Sequence, residues 1–304
     1  MIWERALFSP RASTISRTSF LKRTLTHAAP SATVHLHFDK HVPPDGNATD
    51  KPLVILHGLF GTKRNWGSLS KAFLRDLGRP VYALDLRNHG TSPHAEPMTY
   101  PAMAGDVLAF CHTHALTNVS LLGHSMGGKV AMTLALDPQL PEGLLRHLIV
   151  ADIAPSKGDL SPEFEAYIRV MKLIEESNVT TRKQADELLA PHEQDPIIRA
   201  FLLTNLETAA THHKPLRFRV PVNIIGKSIP DLGGFPYELG ARVWEGDTLF
   251  IKGTKSRYIN NRNIPIAKRF FPNMVLETLD AGHWVHSERP NEFKALVSNF
   301  IKSH

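Results

Sequence analysis

The sequence predicts an α/β protein with a mostly parallel sheet and helices on both of its faces. From residue 33 onward, short aliphatic or β-branched runs alternate with longer segments of helical period, which is the pattern of parallel strands joined by crossover helices. Residues 33–38 alternate apolar and polar side chains and are expected to open the sheet. The buried parallel strands are expected at residues 53–56, 81–84, 119–122, 148–151, 248–251 and 274–279.

Helical periodicity characterises the segments between these strands. Residues 100–114 place Met103, Val107 and Cys111 at four-residue spacing, so one apolar stripe is expected to face the sheet. Residues 129–136 are predicted to form a helix, and residues 291–301 an amphipathic helix that closes the chain. Cys111 is expected to pack in the core, and as the only cysteine it excludes an intramolecular disulfide.

The regular alternation stops after Pro155, and the next strand is expected only at residue 248. Amphipathic spacing predicts helices over residues 163–176, 182–189 and 196–206. The remainder of this segment is expected to lack regular structure, because prolines and glycines interrupt it. They are Pro215, Pro221, Pro230, Gly233, Gly234 and Pro236.

These boundaries divide the chain into a core of residues 34–155 and 246–304 and an insertion of residues 156–245. We predict that the insertion forms a helical cap over a functional site. Its periodicity is equally compatible with extra helices that pack on the sheet without controlling access to a site.

Charge and composition restrict the class of function. The formal net charge is +6, but much of this excess lies in residues 1–33, where Glu4 is the only acidic residue. The basic residues there are Arg5, Arg11, Arg17, Lys22 and Arg23. The rest of the chain is nearly balanced, so a nucleic-acid partner is not predicted. No run approaches the roughly 18 consecutive apolar residues of a membrane-spanning helix.

Residues 1–33 are predicted to be a mitochondrial transit peptide. They are basic, rich in Ser and Thr, and carry spaced apolar residues without the continuous apolar stretch of a secretory signal. The protein is accordingly expected in mitochondria. A basic tail without a targeting function is the alternative.

The strongest local signal is the pentapeptide GHSMG at residues 123–127, which has the pattern G-x-S-x-G. It lies directly after one predicted strand and before the predicted helix at residues 129–136, the context of a nucleophile elbow. Glycines on both sides let the backbone make a sharp turn that presents the serine hydroxyl above the sheet. Ser125 is therefore the candidate nucleophile, and the amide of Met126 can stabilise negative charge on a bound oxygen.

Nucleotide and metal sites are not predicted. Gly123, Gly128 and Lys129 have the spacing of a phosphate-binding loop, but Val130 stands where that loop needs a hydroxyl for magnesium. Three histidine pairs lack the accompanying ligands of a metal site. They are His35/His37, His112/His114 and His212/His213. No cofactor is therefore expected.

A second glycine-rich turn, HGLFG at residues 57–61, follows the predicted strand at residues 53–56. This position supplies the other oxyanion donor beside a nucleophile elbow, and the donor is expected to be the Leu59 amide. A glycine-rich turn without this role is the alternative. The polar cluster at residues 85–92 is expected to hold the loop of residues 57–61 in position.

A nucleophilic serine needs a general base. His283 follows the last predicted strand and precedes the closing helix, the position of the histidine in this arrangement. His286 is the nearest competitor, and His124 is expected to help hold the elbow.

The acid that orients His283 is less evident, because residues 252–257, where it usually lies, contain no carboxylate. Asp152 ends the neighbouring predicted strand and is the preferred candidate. Ser256 then occupies the vacant position and is expected to add a hydrogen bond to His283. The alternatives are Asp247, Asp231 and a helix-capping role for Asp152.

Six motifs of the chain can be taken together. They are HGLFG at 57–61, DLRNHGTS at 85–92, GHSMGGKV at 123–130, VADIAP at 150–155, FLLTNL at 201–206 and AGHWVHSERP at 281–290. In combination they resemble the abhydrolase domain-containing protein 11 family of the α/β-hydrolase fold, which includes fungal mitochondrial ethanol acetyltransferases, also called ethyl acetate synthases, and bacterial short-chain esterases. The resemblance extends from about residue 50 to the C-terminus and implies a triad of Ser125, Asp152 and His283.

The resemblance implies a serine hydrolase or acyltransferase that acts on short acyl esters and thioesters. Acetyl-CoA is then a possible substrate, and ethanol competes with water as the acceptor of the acyl group, since both react with the same acyl-enzyme. The rival hypothesis is a non-catalytic module of the same fold that binds a mitochondrial protein or a small ligand.

Overall fold

The computed structural model describes residues 32–158, 160–207 and 214–304, which form one sheet covered by helices on both faces. The strand order is β1-β3-β2-β4-β5-β6-β7; β2 to β7 pair in parallel and β1 is an antiparallel edge strand. The predicted fold class and its six parallel strands are therefore confirmed. The strands are β1 Phe38–His41, β2 Leu53–Leu56, β3 Val81–Leu84, β4 Val119–His124, β5 Leu145–Ala151, β6 Asp247–Gly253 and β7 Met274–Leu279.

The predicted first strand, residues 33–38, is wrong in position. The strand begins at Phe38, opposite Leu84 of β3. The residues before it alternate as a strand would, but their amides bind side chains instead of a neighbouring strand. Val34 N donates to Asp106 Oδ1 at 2.8 Å, and His37 N donates to Ser92 Oγ at 2.8 Å.

Ten α-helices are described, and most agree with the predicted segments. Short 3₁₀ turns occupy Lys63–Trp66 and Leu203–Asn205, so the helix predicted to end at residue 206 ends earlier. Of the ten, α1, α7, α8 and α9 were not predicted. The helices are α1 Gly67–Leu77, α2 Tyr100–Thr113, α3 Met126–Ala135, α4 Pro162–Glu176, α5 Arg182–Leu189, α6 Pro196–Leu202, α7 Val222–Gly233, α8 Ile264–Phe270, α9 Val285–Glu288 and α10 Pro290–Ser303.

Helix α7 contradicts the expectation that prolines prevent regular structure in this part of the insertion. Pro221 is the N-cap residue, where no helical N–H is needed, and only Pro230 lies inside the helix. A proline inside a helix costs about 3 kcal/mol. Ile225, Ile229 and Leu232 are buried on one face of α7, and each buried side chain of this kind contributes about 2 kcal/mol. Packing therefore outweighs the cost of the proline.

Two apolar cores lie on opposite faces of the sheet. Ile55 of β2 and Ile149 of β5 pack with α1 and α10 on one face. Val54 and Leu121 pack with α2 and α3 on the other face, together with α4 and α7 of the insertion. Cys111 lies in this second core, as expected, and burial raises the pKa of its thiol to about 12. No helix among the described residues is long and apolar enough to cross a membrane.

Lys129 of α3 ties the insertion to the core. Its side chain is buried, and Nζ donates to the carbonyl oxygens of Ser156, Gly233 and Gly234 at 3.1, 3.0 and 2.7 Å. Burial lowers the pKa of this ammonium to about 8, so the group remains protonated at neutral pH. The Lys129 ammonium thus connects α3 of the core to the first residue of the insertion and to the end of α7.

Replacing Lys129 with methionine is expected to lower the free energy of unfolding by about 3 kcal/mol, because three buried carbonyl groups lose a charged donor. Urea denaturation followed by circular dichroism measures this change. Lys157→Met is the matched control, because Lys157 lies in the same segment but forms only an exposed ion pair with Glu238. The control should change the free energy by less than about 0.5 kcal/mol; equal losses in the two variants would contradict this role of Lys129.

Candidate active site

The turn between β4 and α3 presents Ser125 at the carboxyl edge of the sheet. Ser125 has φ 52° and ψ −118°, a strained conformation for a residue with a side chain. The flanking glycines are required by close backbone contacts. A Cβ atom on Gly123 would lie 2.2 Å from the Gly127 carbonyl oxygen, and one on Gly127 would lie 2.5 Å from that of Leu56. The pattern G-x-S-x-G is thus a steric requirement of this turn.

Three predicted residues form a continuous chain of hydrogen bonds. Ser125 Oγ lies 2.9 Å from His283 Nε2, and His283 Nδ1 lies 2.7 Å from Asp152 Oδ2. Ser125 follows β4, Asp152 follows β5, and His283 lies in the loop after β7. The carboxylate is fully buried, whereas the imidazole is 13% exposed. With Nδ1 donating to Asp152, Nε2 is left to accept the Ser125 proton.

The Asp152 carboxylate is held by two further donors. Its Oδ1 accepts from Gly253 N at 2.9 Å, and its Oδ2 accepts from Ser256 Oγ. The expected bond from Ser256 to His283 is therefore wrong, because its hydroxyl points to the carboxylate that already binds the imidazole.

The alternatives for the acid lie elsewhere. Asp247 begins β6 and pairs with Arg146 at 3.6 Å, while Asp231 is exposed near the end of α7. The helix-capping role of Asp152 is wrong, since the next helix begins only at Pro162.

The amides of Leu59 and Met126 are available beside Ser125. Both residues line a cavity together with Ser125, and Met126 is the first residue of α3, where helical N–H groups lack intrahelical acceptors. Neither amide donates to an acceptor elsewhere in the described part of the chain. Two unpaired donors in this position can stabilise an oxyanion.

A cavity of about 250 Å³ opens above Ser125 and His283. Helices α4 and α6 of the insertion form part of its wall, through apolar residues such as Phe164 and Ile198. Glu163 and Glu193 also line it, and the Tyr167 hydroxyl donates to Glu193. The insertion thus covers the candidate site, although its function as a gate stays a prediction.

Comparison with known proteins agrees with this architecture. The chain matches the family model described as alpha/beta hydrolase fold over residues 51–290. The chain belongs to the α/β-hydrolase family. Among solved structures, this α/β-hydrolase is similar to a marine microorganism esterase, with 35% identity and a TM-score of 0.78, over 88% of this chain and 100% of the esterase.

Several curated relatives of this α/β-hydrolase are named as lipases or acetyltransferases. It is 40% identical to the sn-1-specific diacylglycerol lipase ABHD11 of Xenopus laevis over 284 residues, 91% of this chain and 86% of the relative. It is 37% identical to a probable alcohol acetyltransferase of Saccharomyces cerevisiae over 269 residues, 83% of this chain and 78% of the relative. The predicted resemblance is confirmed, and the chain is an enzyme of this esterase, lipase and acetyltransferase group.

The polar cluster at residues 85–92 braces the loop that carries Leu59 in this α/β-hydrolase, as predicted. His57 Nε2 accepts from Leu86 N at 3.0 Å, and His89 Nε2 accepts from Phe60 N at 3.2 Å. Burial lowers the pKa of both rings, that of His89 to about 3. Both rings therefore stay neutral and can accept hydrogen bonds at physiological pH.

The two histidines nearest to His283 have structural contacts. His286 is buried and stacks on Trp66 with ring centroids 4.2 Å apart, and burial lowers its pKa to about 3. His124 is also buried, with a pKa held well below its usual range mainly by desolvation. Its Nε2 lies 2.9 Å from the His283 carbonyl oxygen. His124 thus connects the elbow to the loop of the candidate base.

Sequence reasoning missed Tyr258 and the acidic residues of the cavity. The Tyr258 ring lies against the His283 imidazole with centroids 4.1 Å apart and lines the cavity. Tyr258 is two residues beyond Ser256, and its position shortly after β6 could have indicated that it lies near His283. Glu163 and Glu193 carry no local signal, because their approach to Ser125 depends on how the insertion packs.

Proposed function

We propose that this α/β-hydrolase transfers short acyl groups from esters or thioesters through a covalent intermediate on Ser125. The observation that supports this most is the hydrogen-bonded series of Ser125, His283 and Asp152 at the wall of a cavity. A serine hydroxyl that shares its proton with an oriented imidazole is an activated nucleophile.

In the proposed mechanism, His283 Nε2 accepts the Ser125 proton as Oγ attacks the acyl carbon. The amides of Leu59 and Met126 stabilise the oxyanion, and Asp152 stabilises the imidazolium. His283 then donates its proton to the departing alcohol or thiol, which leaves an ester on Ser125. Water or an alcohol, deprotonated by the same imidazole, attacks this ester and restores the serine.

The names of the relatives indicate two kinds of acceptor. A diacylglycerol lipase passes an acyl group to water, and an alcohol acetyltransferase passes one to an alcohol. Both outcomes fit one acyl-enzyme. We therefore include transfer of acetyl groups from acetyl-CoA, as a substrate, to ethanol in the proposed activity.

The test is to incubate the purified protein with acetyl-CoA, or with a simple acetate ester, in the presence of ethanol. Acetate and ethyl acetate are then quantified together. Formation of either product, dependent on Ser125, supports the proposed acyl transfer, and their ratio identifies the preferred acceptor. Absence of both products with both donors would contradict the proposal.

We also propose that residues 1–33 direct the protein to mitochondria. The proposal rests on the basic, Ser- and Thr-rich composition of these residues, and all but the last two of them lie outside the described part. A reporter fused to residues 1–33 should accumulate in mitochondria. A reporter that stays in the cytosol would contradict it.

A further inference from the structure

Two separate cavities meet at Ser125. The larger, of about 250 Å³, contains His283 and Trp284 in its wall. The smaller, of about 90 Å³, is lined by Ser125, Leu59 and Met126, and His283 is not among its described lining residues. Leu59 lines both cavities, whereas among the described lining residues His283 belongs only to the larger and Met126 only to the smaller. The candidate nucleophile therefore has one side that faces His283 and one that faces Met126, and a cavity adjoins each side.

Proton transfer decides which part of a substrate occupies each space. The leaving oxygen or sulfur must receive a proton from His283, and the incoming acceptor must give one to it. Both must therefore lie within reach of the imidazole, on the side of the larger cavity. The acyl chain exchanges no proton and extends from the carbonyl carbon in another direction. We propose that the smaller cavity is the pocket for the acyl chain, an inference that rests on the proposed function.

The lining of the smaller cavity suits an apolar chain. Ile153, Leu160 and Leu232 contribute aliphatic side chains, and of these Leu160 and Leu232 belong to the insertion. Lys129 is the charged residue among the described lining residues, but its ammonium donates to three carbonyl oxygens. It therefore has no proton left to offer a substrate.

Hydrogen bonds around Leu232 restrict the size of this pocket. The Tyr100 hydroxyl donates to the Leu232 carbonyl oxygen at 2.7 Å, and Lys129 Nζ binds the two carbonyl groups that follow. The end of α7 is thus fixed to α2 and α3 and cannot move away without breaking these bonds. The small volume of about 90 Å³ and the fixed wall at Leu232 favour short acyl groups, from acetyl to butanoyl, over longer chains.

The test compares p-nitrophenyl acetate, butanoate, hexanoate and octanoate, so that the leaving group stays constant. The wild-type protein should have its highest kcat/KM with acetate or butanoate. Leu232→Ala should raise the ratio of hexanoate to acetate activity by roughly tenfold, because it makes room for methylene groups in an apolar pocket. Leu160→Ala should shift the ratio in the same direction and, as a partly buried residue, carries less risk to folding.

Ile198→Ala is the matched control, since Ile198 lines the larger cavity and is not among the described residues of the smaller one. This variant should keep the wild-type order of chain lengths and change the preference among leaving groups, measured with ethyl and naphthyl acetates. Wild-type preference for octanoate, or a chain-length shift in Ile198→Ala alone, would overturn the assignment. Failure of the wild-type protein to hydrolyse any ester would instead overturn the proposed function.

Discussion

Replacing Ser125 with alanine is expected to lower kcat/KM for hydrolysis of an acetate ester by about 10⁴-fold or more. The variant lacks the atom that would form the acyl-enzyme, while the imidazole and the amides of Leu59 and Met126 remain. Alanine fits the space of serine at this strained turn, so the fold should be retained. The measurement is steady-state hydrolysis of p-nitrophenyl acetate by both proteins after removal of traces of wild-type enzyme.

Two controls make this result interpretable. Melting temperatures within a few degrees of each other show that the variant is folded. Ser177→Ala removes an exposed hydroxyl at the end of α4 and should retain full activity. Activity of Ser125→Ala close to that of the wild type would show that another residue carries the chemistry.

Asp152→Asn is expected to reduce kcat/KM by about 10³- to 10⁴-fold, the size of effect seen when a triad carboxylate becomes an amide. The amide cannot stabilise the imidazolium, and its N–H group favours the wrong tautomer of His283. Ser256→Ala should reduce kcat/KM by about tenfold or less, because it removes one hydrogen bond from a carboxylate that keeps its bond from Gly253. The rates are compared at the same pH with the same ester.

Asp247→Asn is the matched control for this pair. Its side chain lies at the opposite end of β6 and contacts only an exposed arginine, so its rate should stay within about twofold of the wild type. If Asp152→Asn lost no more activity than Ser256→Ala, the acid that orients His283 would have to be another residue.

The elbow and most strands could be predicted from the sequence, because steric limits at the elbow and burial of the strands each leave a local pattern. Only glycine fits at positions 123 and 127, where backbone atoms lie closer than a Cβ allows. The central strands are continuous apolar runs because both faces of the sheet are covered. These constraints act within a few residues and therefore leave a readable pattern.

The errors arose where distant groups decide the structure. The strand expected at residues 33–38 is displaced because Asp106 and Ser92 bind its amides. Helix α7 forms in spite of Pro230 because its apolar face is buried against other elements. Ser256 binds Asp152 and not His283, a choice that depends on the relative positions of β5 and β6. No local pattern carries such information.

In the candidate site, the three residues of the hydrogen-bonded chain could be predicted from the sequence, whereas the cavities around them could not. Ser125, His283 and Asp152 follow from chain order and strand ends, because the carboxyl ends of parallel strands meet at one edge. The walls of the two cavities come in part from the insertion. The sequence of its helices shows which face is apolar but not where that face packs. The acyl-chain pocket that we propose could therefore not be predicted from the sequence.

Labelling with a fluorophosphonate, followed by intact-mass and peptide mass spectrometry, tests the central claim most directly. We predict one adduct per chain, located on Ser125 in the peptide that contains GHSMG, and its loss in Ser125→Ala. A folded wild-type protein that takes up no adduct, or carries it on a different residue, would contradict the account, and the absence of any adduct would favour a non-catalytic binding module.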